Sequence, residues 1–501
     1  MRHLVTAVRD VGTRREFLTL LGGSVAVVAL AACGGGTVAA TQSTATAPTA
    51  PATAARSSAG AATTTPAATS SAASTAAATS ARATSATSSA PAQATVAPPS
   101  AKGALRWVFG DMDAGRAKLL DNVATQFNAA HPDTAVQADF ISANYGTLLP
   151  TWAAGGTLYD VFFNHTQEVA PEAVKGMMVP LDPFVARDHL PLAQFNSVEM
   201  TNCTWQGKVY ALPFDWSINA VYLNKDMFRA ANVPLPPEDG SWTWDDLLAA
   251  AQHFARSENG KQVQWGFDGL PTLPAVYGVL EANGGKIVSD DLKQVLVNNP
   301  ENIATLEYFR DLVRKWHVAP GPGDLPKGVA NGFAENMTAM QMQGSWNVES
   351  MRTEIGTRFD WDIAPVPKGS TGRVATPGWG AAWSMGISTK QQDKAWELLS
   401  YVSSSQAEAL SLGSGSPPGN VDAYPAYLKA MVRGTQPPQH VGTLVDTVKA
   451  GVFAVPDLPY YDQAFPILQK AVADIYAGKE AVGTLAQAQQ QVNAIIPQYQ
   501  F

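Results

Sequence analysis

The stretch Leu105-Arg106-Trp107-Val108-Phe109-Gly110-Asp111-Met112-Asp113 decides the fold. Its apolar and aromatic start reads as a β-strand. Leu119, Val123 and Phe127 then recur at i, i+4 and i+8, one face of a helix. A βα unit therefore opens the folded part. Val136 to Ile141 and Tyr159-Asp160-Val161-Phe162-Phe163 read as two further strands, with a helical stretch from Tyr145 to Ala154 between them. Strands alternating with helices predict a mostly parallel sheet covered by helices on both faces, the α/β class. Ligands of such sheets sit outside the carboxyl ends of the strands. That rule nominates Gly110-Asp111-Met112-Asp113 and Asn164-His165-Thr166-Gln167.

Downstream, Gly207-Lys208-Val209-Tyr210-Ala211-Leu212-Pro213-Phe214 is strand-like and runs into Asp215-Trp216-Ser217 and the apolar run Ile218 to Leu223, where the chain leaves its first lobe. Thr243-Trp244-Asp245-Asp246 ahead of Leu247-Leu248 marks a helix start, with Thr243 as cap and both aspartates favoured by the helix dipole. Trp242 and Trp244 are read as packing residues. Amphipathic helices follow around Pro300 to Trp316, Lys390 to Val402 and Phe465 to Tyr476, and there is no internal repeat.

Upstream the composition changes. All 13 tryptophans lie after residue 104, whereas residues 34–101 are almost entirely Ala, Thr, Ser, Pro and Gly. Such a segment has too little apolar surface to offset ordering entropy and is expected to be a tether, spanning 34–103. Its random-coil reach is on the order of 45 Å. Ahead of it, Arg14-Arg15 precede an apolar run from Leu20 to Ala32 and then Leu30-Ala31-Ala32-Cys33. A run so short reads as a signal peptide over 1–33 rather than a span. The adjacent arginines match a twin-arginine export signal. The Leu-Ala-Ala-Cys box makes Cys33 the expected lipidation site, whose two acyl chains would hold the protein on the membrane, outside the cytoplasm.

Charge excludes some partners. Of 34 Lys and Arg and 42 Asp and Glu, seven basic and two acidic residues precede residue 104, leaving 27 basic against 40 acidic side chains and a net −13 for the folded part. So acidic a body is a poor partner for nucleic acid. Two cysteines exclude a disulfide framework and a cysteine-based zinc site. The seven histidines show no pair at metal spacing, so neither metal nor cofactor is expected.

Taken in order, several segments resemble the extracellular solute-binding proteins of carbohydrate ABC importers, the family that includes maltose-binding protein. They are Trp107-Val108-Phe109-Gly110-Asp111, Tyr159 to Phe163, Gly207 to Pro213, Tyr222-Leu223-Asn224-Lys225-Asp226-Met227-Phe228 and Trp242 to Leu247. Further on come Met340-Gln341-Met342-Gln343-Gly344-Ser345-Trp346, Ala364-Pro365-Val366-Pro367-Lys368-Gly369, Gly386-Ile387-Ser388 and Lys394-Ala395-Trp396. The likeness covers nearly all of 105–501. It implies a two-lobed periplasmic-binding-protein-like fold, each lobe a mostly parallel sheet flanked by helices, closing like a hinge on a sugar. Residues 104–214 with 366–408 would make the N-lobe and 218–362 with 412–501 the C-lobe, the crossings falling near Asp215, Ala364 and Gly413. It also implies a monomer that delivers its ligand to the transmembrane subunits of an ABC permease.

A sugar site needs oxygens that pair with hydroxyls and aromatic planes that cover C–H faces. Asp111, Met112 and Asp113 occupy a loop that contacts ligand in the family, the carboxylates as hydroxyl acceptors or, alternatively, as helix-capping or solvated groups. Asn164, His165, Thr166 and Gln167 sit where relatives carry a polar contact loop, or form an ordinary turn. Asp215 and Trp216 follow the strand that leads into the hinge. Trp346 ends a family-like turn and is the foremost stacking candidate. Trp379, between Gly378 and Gly380, and Trp383 complete the set. Gly413 to Gly419 reads as a loop able to cover the cleft. A glycoside hydrolase also shows acids and tryptophans, but needs two facing carboxylates, and no second-lobe Glu motif stands out. There is no Gly-x-Ser-x-Gly elbow and no phosphate loop, and Cys203 has no histidine nearby. A binding protein for a polyamine, polyol phosphate or peptide is the remaining alternative. Charge in the cleft would discriminate it.

Overall fold

The computed structural model describes residues 103–112, 114–410 and 415–499, all within one compact unit, Ser89–Phe501. The leader, Cys33, the tether up to residue 102, Asp113 and the crossing expected near Gly413 lie outside the described residues. Thirteen strands form among those described: β1 (Leu105–Gly110), β2 (Val136–Ile141), β3 (Val161–His165), β4 (Thr204–Trp205), β5 (Lys208–Val209), β6 (Ala211–Ser217), β7 (Asn219–Asn224), β8 (Arg256–Glu258), β9 (Lys261–Asp268), β10 (Thr338–Gly344), β11 (Trp361–Pro365), β12 (Pro377–Met385) and β13 (Phe453–Ala454).

They build two lobes. The first sheet runs β13-β12-β3-β1-β2, with β6 also on β12, and the second β11-β7-β10-β9-β8. Both sheets are mixed and flanked by helices, the first with three parallel pairings, β1–β2, β1–β3 and β12–β13, and two antiparallel ones. In the first, β1 pairs parallel with β2 and β3, but β12 runs antiparallel to β3 and β6. In the second, only β9 and β10 are parallel. The reason is connectivity. Helical crossovers keep β1, β2 and β3 aligned, whereas β6, β7, β11 and β12 pass between lobes or turn back without a crossover helix in between.

The first core gathers Trp107, Phe109, Phe127, Phe162, Trp383 and Leu399. The helix Ala114–Ala130 buries Ala117, Leu120, Val123, Ala124 and Phe127, so its inner face includes Leu120, and Leu119 stays half-exposed. The second sheet is covered on both faces. Val221 and Leu223 of β7 enter one core with Leu247, Phe309 and Val492, while Ala220 and Tyr222 enter another with Trp361, Tyr427 and Leu444, as strand alternation requires. The anticipated capping box is present: the Thr243 hydroxyl accepts from Asp246 N–H at 3.3 Å and the Asp246 carboxylate accepts from Thr243 N–H at 2.9 Å. Trp242 and Trp244 are buried in the second core.

The lobes meet where β6 continues into β7 through Ile218 alone and where β12 passes back. Residues 366–379, expected with the first lobe, belong with the second: Val366, Val374, Ala375 and Trp379 lie in its core, and β12 joins the first core only from Ala381. Gly380 marks the transfer. A Cβ there would stand 2.1 Å from the Asp215 carbonyl oxygen, so no larger residue lets β6 and β12 approach this closely.

Candidate functional site

Between the lobes, over the crossing strands, lies a cavity of about 570 Å3. The first lobe contributes Asp111, Met112 and Arg116 from the end of β1 and the helix behind it, with Ser142, Phe163 and His165 from the ends of β2 and β3. This is the carboxyl edge of the parallel part of the sheet. Tyr145 braces that edge. Its ring fills the space above Gly110, where a Cβ would lie 2.4 Å from it, and its hydroxyl donates to the Phe163 carbonyl at 2.5 Å. Burial pushes that phenol well above its ordinary pKa, so it stays a donor. Asp111 itself adopts a left-handed backbone at φ 50°, a strained conformation of the kind that clusters at ligand sites.

The opposite wall carries Trp346, Asn347 and Ser350, and Trp379 joins them from β12. Trp346 is 37 % exposed and Trp379 only 7 %. Their rings meet edge to face, centroids 5.4 Å apart and planes at 70°. Gly344 places the outer ring: a Cβ there would stand 2.2 Å from its six-membered edge, so the indole lies flat on bare backbone. Asp215, Ser217, Gly380 and Ala381 form the floor.

Asp215 is fully engaged. One carboxylate oxygen accepts from Ala381 N–H at 2.9 Å and the other pairs with the Arg116 guanidinium. The guanidinium also lies over the Phe214 ring, 4.6 Å from its centroid. The two paired side chains are only 10 % and 6 % exposed.

The cavity thus brings together Asp111, Met112, His165, Asp215, Trp346 and Trp379. Five other candidates are placed elsewhere. Asn164 points to the opposite side of β3 from Phe163 and His165 and is buried, donating to Glu172 at 2.9 Å. Thr166 is buried too, its hydroxyl accepting from Gly380 N–H at 3.0 Å, and Gln167 is not in the lining. Trp216 alternates away from Asp215 and Ser217, and its indole donates to the Tyr424 hydroxyl at 2.7 Å. Trp383 lies one step deeper along β12, packed on Trp107 at 5.0 Å and Phe214 at 4.9 Å. The loop read as a cleft cover does something different in its described part: Pro417 and Gly419 bond backbone to backbone with Trp216 and Phe214 of β6, and none of residues 415–419 lines the cavity.

Reading the chain residue by residue missed Arg116, Ser142, Phe163, Ser217, Asn347, Ser350, Gly380 and Ala381. Some carried a signal. Phe163 and Ser217 each stand two residues from a nominated one on a strand, hence on the same face, and Ser350 lies four past Trp346 along a helical path. Arg116 lies just beyond the nominated Asp111 loop, but its pairing carried no signal, because its partner is 99 residues away. Among the described residues no group of three His, Cys, Asp or Glu could hold a metal ion, and no helix is long and apolar enough to cross a membrane. Burial raises the Cys203 thiol well above its ordinary pKa, which leaves it unreactive.

Two α/β lobes with a cavity between them make the periplasmic-binding-protein-like fold. The chain belongs to the bacterial extracellular solute-binding protein family, whose model matches residues 110–409, and that membership implies an extracytoplasmic location. Relatives include a binding protein of Brucella abortus, 23 % identical over 79 % of this chain and 93 % of that one. The maltodextrin-binding protein of Bacillus subtilis is 22 % identical over 74 % of this chain and 85 % of its own. Among solved structures, an ABC substrate-binding protein of Listeria monocytogenes in complex with cycloalternan superposes with a TM-score of 0.69. It is 22 % identical and covers 79 % of this chain and 99 % of its own, a likeness of fold.

Proposed function

We propose that this chain captures a saccharide in the interlobe cavity and delivers it, unaltered, to an ABC permease, acting as a monomer held outside the membrane by acyl chains on Cys33. The observation that carries the reading is the corner made by Trp346 and Trp379 facing Asp111 and His165 across the cavity. Aromatic planes cover the C–H faces of a pyranose while carboxylate and imidazole pair with its hydroxyls. The relative named for maltodextrin supports the ligand class. The lobes are taken as 104–214 with 381–408, and 218–379 with the C-terminal segment to 501.

Two features count against the other readings. A glycoside hydrolase would need a second carboxyl group ready to move a proton, and both Asp215 oxygens are already held. A polyamine would favour three uncompensated acids, yet Asp215 is neutralised by Arg116. The test is thermal unfolding of the protein against a panel of mono- and oligosaccharides, polyamines and peptides, with product analysis of each mixture. A saccharide at 100 times its dissociation constant adds about 2.7 kcal/mol and raises the melting point. A response to polyamines alone, or a cleaved sugar, would end the proposal.

A further inference from the structure

Arg116 stands on the first turn of the helix Ala114–Ala130, three residues after the loop that follows β1. Here two sources of positive potential add: the guanidinium and the positive end of the helix dipole. Left alone, such a corner draws anions, because Arg recognises carboxylate and phosphate with paired donors. Asp215 changes that. It reaches from β6, its far oxygen pinned by Ala381 N–H at 2.9 Å, and places the near one on Arg116. Phe214, the preceding residue, covers the guanidinium from another side.

A pair this buried is poorly explained by stability, since desolvating two charges offsets much of their attraction. Its position is more telling, because both partners line the ligand cavity. With Asp111, the lining holds two carboxylates against one guanidinium among the described residues, beside His165.

We propose that the Arg116–Asp215 pair is the charge filter of the cleft: the carboxylate masks the guanidinium, so that the cavity admits uncharged saccharides and refuses anionic ones such as uronates and sugar phosphates. This rests on the reading of the cavity as a saccharide site, and it makes Asp215 a determinant of specificity rather than a hydroxyl acceptor. An anion entering the cleft would have to displace a carboxylate that the Ala381 N–H keeps in place, and would then leave that carboxylate buried and unpaired.

The experiment titrates glucose, glucuronate and sulfate into the full chain, followed by tryptophan fluorescence, which Trp346 and Trp379 make sensitive to cavity occupancy. Asp215→Asn keeps an acceptor for Ala381 and removes the mask. It should bind glucuronate at least about tenfold more tightly than the native chain does, with a gain that weakens in salt and vanishes in Asp215→Asn/Arg116→Gln. Equal glucuronate affinity with and without the substitution, or a gain that survives the second substitution, would overturn the filter. Should Asp215→Asn fail to fold, Arg116→Gln alone exposes the opposite charge and should gain glucosamine over glucose. No change in that ratio would also overturn it. A native chain that binds neutral saccharide while Asp215→Asn gains nothing removes the filter and leaves the saccharide reading intact. A native chain that binds no saccharide, with sulfate but not glucuronate gained on unmasking, does the reverse.

Discussion

The ring of Trp346 stands edge-on to that of Trp379, centroids 5.4 Å apart, the outer indole 37 % exposed and the inner one buried. The buried ring fixes the exposed one, so a ligand meets a preorganised aromatic surface and little side-chain entropy is lost when it binds.

Trp346→Ala should therefore weaken saccharide binding by roughly 1–3 kcal/mol and lower the melting point of the free protein less than Trp379→Ala does, because Trp346 is 37 % exposed and Trp379 only 7 %. Calorimetric titration beside a thermal melt checks both. Native affinity in the folded variant would remove Trp346 from the site.

Gly380→Ala tests the junction of the lobes. The new methyl would lie 2.1 Å from the Asp215 carbonyl oxygen and 2.7 Å from the Trp216 Cα, both backbone atoms that cannot swing aside. A loss of about 1–3 kcal/mol in urea unfolding is expected, the range for overpacking. An unchanged midpoint would mean that β6 and β12 separate freely.

Stability should fall as pH rises from about 5 to 8, because the Glu199 carboxyl is fully buried. Burial, with the charges of Asp215 and Asp457 adding to it, pushes the Glu199 carboxyl up to about 8, and burial pushes Asp457 up to about 7. Below the ordinary carboxylate range both folded and unfolded chains hold these protons and nothing is lost. Between that range and the raised values the unfolded chain ionises while the folded one stays protonated, which favours unfolding. The total penalty is on the order of a few kcal/mol. Glu199→Gln should flatten the decline measured by urea unfolding from pH 5 to 9, and an equally steep decline would show that Glu199 is not its source.

Cys33→Ser should move the protein from the membrane fraction to the soluble extracytoplasmic fraction, since the diacyl anchor would have no attachment point. Continued sedimentation with membranes would exclude lipidation at Cys33.

Much of the local structure is legible without coordinates. The helix start at Thr243 is written in Thr243 and Asp246 because a capping box involves only neighbours along the chain. Burial of Trp107 and Phe109 follows from an apolar strand covered on both faces. The stretch Gly207 to Phe214, which reads as one strand, is instead broken at Tyr210 into β5, which the two-residue turn Gln206-Gly207 pairs with β4, and β6. At the site, Asp111 and Trp346 are legible because each follows a strand at a lobe edge. Asn164, Trp216 and Trp383 do not line the cavity, because which side of a strand looks into it depends on which lobe lies above.

By itself the sequence determined the order of the strands and helices that open the folded part, and the residues able to cap and to pack. All of these depend on interactions within a few residues or on composition. Only the tertiary structure decided that β12 runs antiparallel to β3 and β6, that Gly380 is where the chain changes lobe, and that Arg116 meets Asp215. Those outcomes come from packing between segments far apart in the chain, where no local preference of either partner specifies the other.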